Sequence, residues 1–140
     1  DFRTLVRLAK RWRNQAELTH LKSFPIELLM AYSLDTEGAN GSIEQRFRRF
    51  LLYIAQSELK QRVSFPENQR SAGVFIDPVV VLDPVCDSNN VTSRITEPER
   101  VEIVTAANEA WETATFASTE GDLSLWKEVF GPRFKVRDDA

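Results

Sequence analysis

The sequence predicts a mainly α fold: a compact domain of four to five helices with one short strand and an ordered loop. Three observations lead there. Apolar residues recur at helical spacing through four long segments. Helix starts and stops of recognisable chemistry separate those segments. A short β-branched run, Val80-Val81-Leu82, ends abruptly at Asp83-Pro84 and a polar stretch containing Asn89-Asn90.

Residues 2–19 read as the first helix. Phe2, Leu5, Val6, Leu8, Ala9 and Trp12 make its apolar face, and Arg3, Arg7, Lys10 and Asn14 form a second stripe at i, i+4, i+7 and i+11. Ser23 is placed to cap a second helix, with Pro25 and Glu27 in its first turn. Ile26, Leu28, Leu29, Met30, Ala31 and Leu34 make that helix apolar nearly all round, so it is expected at the centre. Ser42 with Gln45 resembles a capping box for a third helix over 42–60, whose core face is Ile43, Phe47, Phe50, Leu51, Ile54 and Leu59. Residues 61–79 read as an irregular loop with a strand near 63–65, and residues 79–82 as a short strand. Thr96, followed by Pro98 and Glu99, starts a long fourth helix with an alanine stripe that permits close helix packing. Gly121 ends it. A short helix over 123–130 stops at Gly131-Pro132.

The 140 residues suit one domain with a real core. Apolar content of 42% and charged content of 28% exclude a disordered tail. The net charge of −3 argues against indiscriminate nucleic-acid binding. It hides an asymmetry, because Arg3, Arg7, Lys10, Arg11 and Arg13 crowd one end while Asp138-Asp139 close the other. A local anion-facing surface on an acidic protein is expected. Cys86 is the only cysteine, which excludes an internal disulfide and points to a reducing, cytoplasmic compartment. With one histidine, a Cys/His zinc site is not expected. No membrane association is expected, since no apolar run reaches spanning length. The chain starts at Asp1 inside helical sequence and reads as an excised domain.

Several groups could carry chemistry. The basic stripe is either a solvated helix face or a phosphate clamp, and pattern alone favours the solvated face. Ser23-Phe24 at a helix start suits an anion and a stacked base, or else a cap and a hydrophobic staple. Asp77, Asp83 and Asp87 could hold Mg²⁺, yet Asp-Pro and Asn-Asn are turn chemistry, and an ordered structural loop is the favoured reading; Arg94 could pair with one of them. His20 reads as a helix-end residue and Cys86 as unreactive. No Gly-rich phosphate loop is present. No catalytic residue and no metal ligand is therefore assigned.

Leu5-Val6-Arg7-Leu8-Ala9-Lys10-Arg11-Trp12 resembles the spine helix of oligoadenylate synthetases, with its Leu-x-x-Leu-x-Lys-x-Trp pattern. Ser23-Phe24-Pro25-Ile26-Glu27-Leu28-Leu29 is similar to the family's next helix. Val81-Leu82-Asp83-Pro84 through Asn89-Asn90-Val91 resembles its loop, in a form closer to the bacterial CD-NTases (cGAS-like, CBASS). The resemblance spans roughly residues 3–117 and implies the C-terminal helical lobe of a nucleotidyltransferase. The whole of residues 1–140 would be that lobe. The N-terminal lobe, with its Gly-Ser motif and Mg²⁺-binding carboxylates, would lie outside this chain, which alone would be inactive. Lys10 and Ser23 would then contact nucleotide phosphate and Phe24 would stack the base. The family often has Tyr at that place; Phe24 keeps the ring face and loses the hydroxyl. The implied partners are nucleoside triphosphates, the N-terminal lobe and an activating protein or nucleic acid. The implied product is a cyclic or linear oligonucleotide second messenger in anti-phage defence. The alternative is a non-catalytic helical module that senses a nucleotide or binds a protein. A Gly-Ser and following Asp-x-Asp upstream would separate the two.

Overall fold

The computed structural model describes residues 1–68 and 73–135. They form α1 (Phe2–Gln15), α2 (Ser23–Glu37), α3 (Ile43–Ser57), β1 (Leu82–Asp83), β2 (Cys86–Asn90), α4 (Glu97–Glu120) and, after a 3-10 turn at Leu123–Leu125, α5 (Trp126–Phe130). Asp138 and Asp139, expected to oppose the basic end, lie outside the described residues.

The expected core is present. Leu28, Leu29, Phe47, Phe50, Leu51 and Ile54 are all buried. The hub is α3, not α2, because α3 packs on α1, α2 and α4, while α2 packs on α1 and α3. Trp12 meets Phe50 edge-on at 6.2 Å and 86°, and Phe47, Phe130 and Phe134 continue the aromatic stack towards α5. Ala107, Ala110, Ala114 and Ala117 are buried on α4, where small side chains let its backbone approach its neighbours.

The start signals on α3 and α4 work as expected. Both carry reciprocal capping boxes, Ser42 with Gln45 and Thr96 with Glu99. Gly41 serves the first: its φ is +98°, and an added Cβ would stand 2.5 Å from Gln45 Oε1. The first helix is shorter than the periodicity predicts. It ends at Gln15 because Glu17 adopts a left-handed conformation at φ 57°, while the Glu17 and Leu18 amides bond back to the Asn14 and Arg13 carbonyls. This is a Schellman closure with Glu in the usual glycine position. It turns Leu18 and Leu21 into the core.

The segment after β1 differs from the expected loop. Cys86–Asn90 forms an antiparallel strand with β1, and Val63 joins Val81 in a single parallel bridge. The polar run of β2 has no apolar alternation to announce a strand. Its anchor is Asn90, which is buried. Asn90 Oδ1 accepts from the Val81 and Thr92 amides at 2.9 and 3.0 Å and from Thr92 Oγ1 at 2.8 Å. Its Nδ2 donates to Asp77 Oδ2 at 3.0 Å and the Val79 carbonyl at 2.8 Å. Asp83 Oδ1 accepts from the Val85 amide at 2.9 Å, so Asp83 and Asn90 order this region as expected. Arg94 is exposed and pairs with neither Asp77 nor Asp83.

A second anchor was not legible in the sequence. Arg100 is buried, grips Glu97 with two bonds of 2.8 and 2.6 Å, and donates Nη1 to the Glu58 carbonyl at the end of α3. These bonds hold the Glu97 carboxyl below its usual range.

The Asn90 network sets a direct expectation. Asn90→Ala strands several buried groups at about 1 kcal/mol or more each, so urea unfolding should show a loss of about 3 kcal/mol. Asn89→Ala should stay within about 0.5 kcal/mol, as for an exposed surface site.

Candidate nucleotide-contact corner between α1 and α2

Burial of Leu5, Val6, Ala9 and Trp12 turns the opposite side of α1 outward. Arg3, Arg7 and Arg11 are exposed, and Lys10 is half-buried. Among the described residues no carboxylate pairs with Arg3, Arg7 or Lys10. Arg11 instead sits over the Phe134 ring at 5.3 Å. The stripe therefore carries uncompensated positive charge.

Ser23 and Phe24 lie at the start of α2, but Ser23 is not the cap. Lys22 occupies that position without a capping side chain, and Ser23 is the first helical residue. The reason is local. Pro25 has no N–H, and the Ile26 amide is taken by the Lys22 carbonyl at 3.3 Å, so the Ser23 hydroxyl has no α2 amide to cap. It accepts a bond from Arg13 Nη1 at 3.2 Å instead. Both Ser23 and Phe24 are exposed, Phe24 to 45%. The Phe24 ring is thus no staple.

Arg13, which falls outside the Arg3, Arg7, Lys10 and Asn14 stripe, is the side chain that joins the two helices. Its Nη1 also donates to the Leu21 carbonyl at 3.1 Å, and its Nε to Asn14 Oδ1 at 3.0 Å. Lys10 stands one turn before Arg13 and Asn14, on the same side of α1. A notch of about 630 Å³ adjoins this corner, lined by Arg13, Asn14, Glu17, Leu18, Thr19 and Lys22. The corner presents cations, a hydroxyl and an exposed ring, which is a chemistry suited to a phosphorylated aromatic ligand.

The other candidates fall elsewhere. His20 lies in the connection after α1, not at a helix end. Its Nδ1 is 3.8 Å from Glu99 Oε2 and its Nε2 is 3.5 Å from Glu102 Oε2, within ion-pair reach without a hydrogen bond. This places the loop before Ser23 beside the start of α4. The carboxylates of Asp77, Asp83 and Asp87 accept bonds from Asn90, Val85 and Asn68. Among the described residues no three His, Cys, Asp or Glu side chains could hold a metal ion, so these residues do not fit a divalent-cation site. Among them, too, no helix is long and apolar enough to cross a membrane.

No protein-family model matches the chain. It is 63% identical over its whole length to the CBASS oligonucleotide cyclase CdnC of Escherichia coli strain KTE188, spanning 44% of that protein. It is 31% identical, over 96% of its length, to the cyclic AMP-AMP-AMP synthase of E. coli strain MS 115-1, of which it spans 45%. Among solved structures, E. coli MS115-1 CdnC superposes with a TM-score of 0.83 in a complex with HORMA-deltaN and 0.84 with ATP. In both cases identity is 29%, and the match covers 96% of this chain and 46% of the other.

The chain belongs to the CD-NTase family. It spans less than half the length of the relatives it matches, aligning with their C-terminal part. The five helices and two-stranded sheet of the described residues are those of the CD-NTase C-terminal helical lobe. CD-NTases are nucleotidyltransferases, a class that generally uses a divalent metal.

The Ser23 assignment makes a stability prediction. Ser42→Ala removes a working cap and should cost about 1 kcal/mol. Ser23→Ala removes no cap and should cost less than about half of that in the same urea titration.

Proposed function

We propose that this chain is the C-terminal helical lobe of a nucleotidyltransferase that makes cyclic or linear oligonucleotide second messengers in anti-phage signalling. In this reading, Lys10 and Ser23 hold nucleotide phosphate and Phe24 stacks on the base. The carrying observation is the α1–α2 corner, where Arg13 in the last turn of α1 bonds a helix-start serine that has no capping duty. The similarity to proteins called oligonucleotide cyclase and cyclic AMP-AMP-AMP synthase supports the reaction class. The ATP held by the solved CdnC supports a nucleoside triphosphate ligand.

The metal of this reading is Mg²⁺, and it belongs to an N-terminal lobe bearing the carboxylates, since the residues described here do not fit it. Bound there, the ion would supply charge stabilisation to phosphoryl transfer. What this lobe adds is grip and orientation. An ammonium and a hydroxyl converging on phosphate fix the triphosphate, and an aromatic face restricts the base. A protein partner, as in the CdnC complex with HORMA-deltaN, fits the same scheme. Cytoplasmic residence fits a single exposed free cysteine.

The test is steady-state kinetics on the intact protein with labelled nucleoside triphosphates and Mg²⁺. A charge-assisted phosphate contact contributes about 1.5–3 kcal/mol, so Lys10→Ala should weaken nucleotide use about tenfold to over a hundredfold. Lys60→Ala, at an exposed pair with Glu58, should leave it unchanged. Equal effects would mean a diffuse basic surface, and an inert Lys10→Ala would leave α1 a solvated face.

A further inference from the structure

We infer that Arg13 is a positioning residue for nucleotide binding, acting through the Ser23 hydroxyl; the inference rests on reading the α1–α2 corner as the phosphate site. A guanidinium has donors only and stays charged. The 3.2 Å contact between Arg13 Nη1 and Ser23 Oγ therefore fixes the hydroxyl as acceptor towards Arg13. A serine hydroxyl has a single proton to donate. With one lone pair committed to Arg13, that proton is directed away from the guanidinium, where an anion can take it. Neither role competes with helix capping, because α2 leaves Ser23 no amide to cap.

The same Nη1 holds the Leu21 carbonyl at 3.1 Å, and the Asn14 side chain braces Nε at 3.0 Å. Leu21 is buried and stands two residues before Ser23. One planar fork thus fixes both the path of the chain into α2 and the hydroxyl at its first residue. Charge alone does not do this. A lysine at the same place would keep the positive field but has a point-like, rotatable head on a flexible stem. It would not hold the carbonyl and the hydroxyl in one geometry.

The positioning role differs from a structural one in its kinetic signature. Loss of a uniform binding contact raises KM and leaves kcat in place. A general loss of folded protein lowers the apparent kcat and leaves KM in place. The experiment measures both constants, with melting temperatures, on the intact protein with nucleoside triphosphates and Mg²⁺. The variants are Arg13→Lys, Arg13→Ala, Ser23→Ala, Lys10→Ala and the Arg13→Ala/Ser23→Ala double. The expected result is a KM raised about tenfold in Arg13→Lys with kcat retained, as for loss of one charge-assisted contact. The double variant should be no worse than the more impaired of its two single variants.

Wild-type KM in Arg13→Lys would overturn the inference, as would additive losses in the double variant. If Arg13→Ala does not fold, Arg13→Lys carries the decision alone. Impairment by Lys10→Ala and Ser23→Ala with normal Arg13 variants would remove only this inference. Normal kinetics for Lys10→Ala and Ser23→Ala would remove the phosphate-site reading, and Arg13 positioning with it.

Discussion

The rotation of α1 about its own axis is the constraint on which the candidate site depends. Leu5, Val6, Ala9 and Trp12 must be buried together, with Trp12 fixed edge-on against Phe50 of α3. Each fully buried large apolar side chain contributes about 1.5–3 kcal/mol, whereas an exposed ion pair contributes about 0–1 kcal/mol. The core therefore decides which way α1 faces. The basic stripe has no competing influence and is carried outward, while Arg13 in the last turn of α1 meets Ser23 at the start of α2. Arg13 closes the joint once the helices are packed.

The remainder of the chain keeps α3 in place as the hub. The alanine stripe of α4 lies in the core, and Arg100 bonds across to the Glu58 carbonyl at the end of α3. The hairpin is held mainly by polar bonds, with Asn90 as its centre. In the connection that delivers Ser23, Arg13 holds the Leu21 carbonyl and His20 lies beside Glu99 and Glu102 of α4.

Helix existence was legible because α1 and α3 carry strong apolar periodicity, and α3 and α4 open with capping boxes that do what their chemistry suggests. Helix ends were less legible. The close of α1 depends on Glu17 adopting a left-handed conformation that sequence normally reserves for glycine. The strand β2 was not legible, since Cys-Asp-Ser-Asn-Asn has neither alternation nor β-branching, and its order comes from tertiary bonds. At the candidate site, Lys10, Ser23 and Phe24 were named through family likeness; Ser23 and Phe24 lie exposed at the start of α2, and Lys10 lies half-buried one turn before Arg13 on α1. Arg13 was passed over because stripe spacing on one helix does not reveal a partner on the next. The cue available was its place in the last turn of α1, ten residues before Ser23.

Nucleotide gripped where α1 meets α2, as proposed, and not at the polar hairpin, would leave its mark on backbone amides. Hydrogen–deuterium exchange of the intact protein, with and without ATP and Mg²⁺, tests it most directly. The prediction is slowed exchange in peptides covering residues 10–26, with those covering 82–90 unchanged. Protection at 82–90 with none at 10–26 would contradict it.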